Sequence, residues 1–139
     1  MKLISTHLCL AKDLGIHNNL FGGVMLGWLD EAGASLASQI INTPRVVTVK
    51  LDKVEFTMPV KTGNLIKIYG EVKEFGNTSI TLHLEAKKES PYTGRKKTVC
   101  STNIKFVRID DDGDPVPISE RCKAAYREKI KSLGAKAEV

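Results

Sequence analysis

Positions 21–41 read FGGVMLGWLDEAGASLASQII. Wound at about 3.6 residues per turn, Glu31 stacks with Ser35, Ser38 and Asn42, an ordinary polar stripe. Its neighbour Asp30 stacks instead with Gly23, Gly27, Ala34 and Ala37, a stripe of small residues carrying one charge. Small side chains let a second backbone or a ligand come close, and a carboxylate in such a place is either paired or in use. The rest of the helix is apolar over most of its circumference, so it needs cover on nearly every side.

The flanks supply that cover. Asn18 and Asn19 precede the helix as candidate caps, and Asn42, Thr43 and Pro44 end it. A loosely alternating strand at 1–10 lies upstream. Downstream, Val47, Val49 and Leu51 keep one parity and Val54, Phe56 and Met58 the other, so a bulge near Asp52 and Lys53 is expected to bend a long strand. Alternation resumes at Ile66, Ile68 and Val72. A turn at Gly76 and Asn77 follows, then Ile80, Leu82, Leu84 and Ala86, a loop at 90–96 and a last strand at 98–109. A basic helix at 119–133, ended by Gly134, closes the chain. One strand, a long helix and four antiparallel strands make an α+β fold in which a curved sheet wraps one helix. A second copy would cover what the sheet leaves bare.

With 139 residues, 42% hydrophobic and 27% charged, the chain reads as one soluble domain. No apolar run reaches membrane-span length, and the N-terminus lacks a signal-peptide cleavage site. Cys9, Cys100 and Cys122 have neither disulfide nor zinc spacing, so free thiols in a cytoplasmic setting are expected. The net charge of +5 serves solubility and equally suits a phosphate-bearing ligand.

The chemistry concentrates where loop meets helix. Gly22 and Gly23 open a helix whose first N–H groups are free and whose end is partly positive, a place suited to polarising a carbonyl. Asp30, a candidate acid–base or nucleophilic group, lies roughly 10 Å farther along the axis. A site using both would most simply join Asp30 of one subunit to the glycine turn of another. Basic residues at Lys50, Lys53, Arg95, Lys96 and Lys97, with donors at Asn77, Thr78 and Ser79, could hold phosphates. Gly33-Ala34-Ser35-Leu36-Ala37 sits mid-helix, not at a nucleophile elbow. His7, His17 and His83 lack metal-ligand spacing, and His83 falls on the polar, solvent-facing parity of its strand. The acidic turn at 110–115 lacks the first and last ligands of a calcium loop, Arg108 and Ser119 standing there. No metal is expected. With aromatics at 6% and none interleaved with basic residues, nucleic acid is disfavoured. Trp28, Met25, Leu29 and Phe56 are either core or an acyl tunnel.

The motifs FGG at 21–23, Asp30, RVVTV at 45–49, the Pro59-to-Gly63 connection and GNTSI at 76–80 resemble the acyl-CoA thioesterases of the hotdog fold, nearest the short bacterial YciA-like enzymes. The resemblance covers 3–118 and implies a hotdog domain at 1–118, with 119–139 an appended basic helix or tail. It implies hydrolysis of acyl-CoA to a free acid and CoA, with CoA as part of the substrate and no separate cofactor. It implies dimers with a continuous sheet, often assembled as trimers of dimers. It places the catalytic acid on Asp30 and the carbonyl-polarising turn on Gly22 and Gly23. CoA or substrate contacts fall on Phe21, on the 45–50 strand (Thr48, Lys50) and on Asn77, Thr78 and Ser79. The basic residues Arg95 and Lys97 are candidates for its phosphates. The family usually carries an Asn six residues before the FGG Phe and a Gly three before it; here Gly15 and Asn18 stand there, leaving Asn18 or Asn19 to fill the role. An alternative function is a non-catalytic acyl-CoA-binding regulatory module on the same fold. Hydration or dehydration of an acyl thioester is a third reading, with only His17 close enough in sequence to assist.

Overall fold

The computed structural model describes residues 1–137, with side chains described through residue 133. In chain order the elements are β1 (Lys2–Leu8), α1 (Gly22–Ile41), β2 (Val46–Phe56), β3 (Leu65–Phe75), β4 (Ser79–Glu89), β5 (Lys96–Arg108) and α2 (Glu120–Ala137). The strands form one antiparallel sheet in the order β1-β3-β4-β5-β2. Alternation puts Ile66 and Ile68, then Ile80, Leu82, Leu84 and Ala86, then Ile104 and Phe106 on the inner face, all fully buried. Against them α1 buries Met25, Leu29, Ala32, Leu36, Ala37 and Ile41. Gly33 is the closest point of approach: a Cβ there would lie 2.9 Å from the Phe106 ring and 3.0 Å from Leu84. The sheet wrapped on one helix is the α+β hotdog architecture expected from the sequence.

The bend in β2 is present. Its pairing with β5 shifts register between Thr48 and Lys50 and again between Asp52 and Glu55, and Lys53 takes φ +52°. β2 is an edge strand, exposed from Val47 to Phe56, so Val47, Val49, Leu51, Val54 and Phe56 meet solvent in a single chain. Among the described residues no further strand pairs with this edge.

Three details differ from the sequence reading. Neither Asn18 nor Asn19 caps α1; Phe21 holds the cap position with no side-chain hydrogen bond. Asn18 adopts φ +59° in a turn whose Asn18 N–H donates to the Gly15 carbonyl, and the Asn19 amide oxygen accepts from the Lys61 ammonium. Both asparagines are occupied by the loop before the helix begins. Gly134 does not end the last helix, which runs to Ala137; a mid-helix glycine costs only about 1 kcal/mol, and the helix formers Leu133 before it and Ala135 and Lys136 after it favour continuation. His83 lies on the outer sheet face but is half-buried, its ring nitrogens 2.8 Å from Asn103 Oδ1 and 3.1 Å from Glu85 Oε1. Among the described residues, no helix is long and apolar enough to cross a membrane.

Candidate active site

The segment before α1 is built around Asp13. Its carboxylate accepts the Leu10 N–H at 3.0 Å and its carbonyl accepts the Phe21 N–H at 2.9 Å, with only 7% of the residue exposed. Gly15 N–H donates to the Asn19 carbonyl and Leu20 N–H to the Val60 carbonyl. These bonds fix the angle at which the chain enters α1. The first helical amide to find a backbone acceptor is Val24, on the Phe21 carbonyl; Gly22 and Gly23 precede it, in the turn where helix amides have no partner of their own. The Phe21 ring, 59% exposed, leans over this turn. A Cβ on Gly23 would lie 2.8 Å from it and one on Gly15 3.3 Å from it. Glycine at both positions makes room for that ring. The positive φ of Asn18 also explains why Asn can replace the Gly of the resembled family: Asn enters the left-handed region more readily than most residues.

A cleft of about 380 Å³ opens at this helix start, lined among others by Asn19, Gly22, Met25, Phe56, Met58 and Val99. Met25 and Phe56, read from sequence as core or tunnel, both line it; Leu29 is core. Trp28 is half-buried, packs against the edge of the core and stacks on His7 with ring centroids 4.5 Å apart.

Asp30 lies two turns farther on, half-buried on the flank of α1 that faces β2. Thr48 Oγ1 donates to Asp30 Oδ1 at 2.6 Å. Among the described residues the carboxylate is held by this one donor across the helix–strand boundary. The small-residue stripe grades along its length. Gly23 and Gly27 are exposed, Asp30 and Ala34 half-buried, Ala37 fully buried, and a Cβ on Gly27 would meet nothing within 4 Å. The stripe is open on the side of the bare β2 edge.

Register divides the remaining candidates into two groups. Thr48 and Ile80 both pair with Phe106, so Thr48 shares one end of the sheet with Ser79 and the turn before it. Lys50 is exposed near that end. Asn77 and Thr78 give their carbonyls to Ile118 and Arg108 N–H groups, and Ser79 is buried against Gly76. Phe56, beside Gly22, pairs with Cys100 toward the other end. Exposed Arg95 and Lys97 lie beyond it at the β4–β5 hairpin. Ser79 and Glu89 bound β4, so the two ends are about 33 Å apart at 3.3 Å per residue. Within one chain the hairpin cations and the 77–79 donors do not meet.

Sequence reasoning missed two partners. Thr48 was assigned to the ligand, not to Asp30, and Asp13 was not singled out. An acid nine residues before a helix is a weak signal, because its role depends on the fold of the loop between. Elsewhere, Cys100 is fully buried and burial pushes its thiol up to about 11, the setting of a structural cysteine. Asp110, Asp112 and Asp114 bring their carboxylates together, but all three belong to an exposed turn region in which Asp110 Oδ1 accepts the Asp112 and Asp114 N–H groups, each at 2.9 Å.

Comparison with known proteins places this geometry. The family model of the thioesterase superfamily matches residues 17–95. The acyl-CoA thioester hydrolase YciA of Salmonella typhimurium is 30% identical over 120 residues, spanning 84% of this chain and 90% of that protein. A hexameric broad-specificity acyl-coenzyme A thioesterase, solved as an aspartate-to-alanine mutant, superposes with a TM-score of 0.83 at 26% identity over 99% of both chains. A hexameric hotdog-fold thioesterase of Campylobacter jejuni gives 0.80 at 32% identity, covering 91% of this chain and 96% of that one. With the glycine-opened turn, α1 and the strands β2, β3 and β4 inside the matched region, the chain belongs to the thioesterase superfamily.

Proposed function

We propose that this protein is an acyl-CoA hydrolase that cleaves acyl-CoA to a free carboxylic acid and CoA at sites shared between two copies of the chain. The observation that carries the reading is the placement of two complementary half-sites on one helix, separated by roughly 10 Å along its axis. The Gly22–Gly23 turn faces a cleft and Asp30 faces the bare β2 edge. Pairing of β2 with β2 of a second copy would extend the sheet and cover Val49 and Leu51. It would also bring Asp30 of one copy toward the helix start of the other. The hexameric relatives support a trimer of such dimers. The thioesterase unit is residues 1–118, with α2 appended. Three free cysteines suit a reducing cytoplasm, and the chemistry needs neither metal nor separate cofactor.

In this mechanism the thioester carbonyl oxygen accepts from the Gly22 and Gly23 N–H groups, whose helix end stabilises the negative charge that develops there. Asp30, oriented by Thr48, takes a proton from a water that attacks the carbonyl carbon, or attacks it directly to form a mixed anhydride that water then hydrolyses to the free acid and the regenerated carboxylate. The C–S bond breaks and the CoA thiolate leaves and is protonated. Phe21, Asn18 and Asn19 border the entrance. Thr48, Lys50 and the 77–79 turn of one copy, with Arg95 and Lys97 of another, are the candidate CoA contacts.

The non-catalytic acyl-CoA-binding reading draws on Gly15, which stands where the family usually has Asn. Release of free thiol from acetyl-, butyryl- and palmitoyl-CoA separates the two. Hydrolysis by the wild type, abolished in Asp30→Asn, supports the enzyme; tight binding with no thiol release at any chain length supports the module. Mixing Asp30→Asn with Gly23→Val chains tests the shared site, since mixed pairs keep one intact site and recover activity only if the halves come from different copies.

A further inference from the structure

A second cavity, larger than this cleft, lies away from the site. It is a groove of about 760 Å³ between α2, the C-terminal half of α1 and the N-terminus of β1. Leu36 and Ile40 of α1 form one wall and Tyr126, Ile130 and Leu133 of α2 the other. Tyr126 anchors α2, accepting the Val72 N–H at 3.1 Å and packing edge-on to Phe75. The groove is therefore held open by a fixed helix, while Ile130 and Leu133 remain 46% and 53% exposed in it. Its charged lining residues are Lys2, Lys129 and Glu71. Lys2 donates to Gln39 Oε1 at 3.3 Å, which holds one ammonium at the rim. Asp30 is on the opposite flank of α1, toward β2.

An apolar trough of this volume, with few polar groups and a net cationic rim, has the make-up of a small-molecule site for an elongated amphiphile with an anionic head. We propose that this groove binds an aliphatic carboxylate, its chain along Leu36, Ile40, Ile130 and Leu133 and its head group at Lys2 and Lys129. The site rests on the groove alone. Only the source of the ligand rests on the hydrolase reading, which makes such an acid the product and the groove a place where product could act on the enzyme.

The test is calorimetric titration of the intact protein with dodecanoate. The expected result is one saturable site per chain, weakened at least tenfold by Ile130→Glu and clearly by Lys129→Glu, with acetyl-CoA hydrolysis unchanged in both variants. Dodecyltrimethylammonium, the same chain with a cationic head, is expected to bind far more weakly. Absence of saturable dodecanoate binding would overturn the proposal, as would binding undiminished in Ile130→Glu, which would place the acid in the helix-start cleft. A fall in particle mass in Ile130→Glu would also overturn it, by showing that another copy of the chain covers the groove. Binding with no hydrolysis of any acyl-CoA would leave the groove standing and remove the hydrolase.

Discussion

Asp30 and Thr48 meet through one hydrogen bond of 2.6 Å, and each proposed role follows from what the other atoms of the pair can reach. Asp30→Asn keeps the shape and the acceptor for Thr48 but loses the basic oxygen. Thiol release should fall by about 10²–10⁴-fold, with the unfolding temperature essentially unchanged. Thr48→Val keeps volume and removes the donor. It should cost roughly tenfold or more in kcat, whereas Thr48→Ser should restore most of it. A Thr48→Val enzyme with the wild-type kcat would show that the threonine does not orient the acid. Asp30 was legible in the sequence because helix periodicity alone isolates it on a stripe of small residues. Thr48 was not legible as its partner, because that contact depends on which strand comes to lie beside the helix.

The helix–sheet contact is tightest at Gly33, where no room exists for a methyl group between α1 and the side chains of Phe106 and Leu84. Gly33→Ala should destabilise the fold by about 1–3 kcal/mol, since overpacking outweighs the gain in helix propensity; a shift in urea midpoint at constant slope is the measurement. On the other flank, His7 of β1 stacks on Trp28 of α1. Burial pushes the imidazolium below its ordinary 6.5, the charges of Glu31 and Asp13 opposing this in part. The unfolded chain therefore takes up a proton at a pH where the folded chain still holds the ring neutral. The stability contribution is full above about 6.5 and is lost as pH falls from there through the lower folded value. His7→Gln should flatten the pH dependence of the urea midpoint over that window; an unaltered slope would assign the acid sensitivity elsewhere. Strand alternation made β4 and the bend of β2 readable in advance. The caps were not, because Asn18 and Asn19 had two competing uses and the loop, tied down by Asp13, took both. Nor was the end of α2, where a glycine that can stop a helix is carried through by good helix formers around it.

At the level of the molecule, the exposed apolar run on β2 is the feature that ties fold to activity. Val49 is 52% exposed in the single chain and lies on the edge that a second copy would extend. Val49→Glu should convert the assembly to single chains, measured by light scattering, and remove hydrolysis although Asp30, Thr48 and the glycine turn are untouched. Monomers that still hydrolyse acyl-CoA would show the site to be complete within one chain. The open edge would also make the turnover rate a function of abundance. If a lone chain holds only halves, diluting the protein below the point where edges stay paired lowers the rate as the square of the amount present, not in proportion to it. A cell that halves its supply of this polypeptide in that regime would lose three-quarters of the flux.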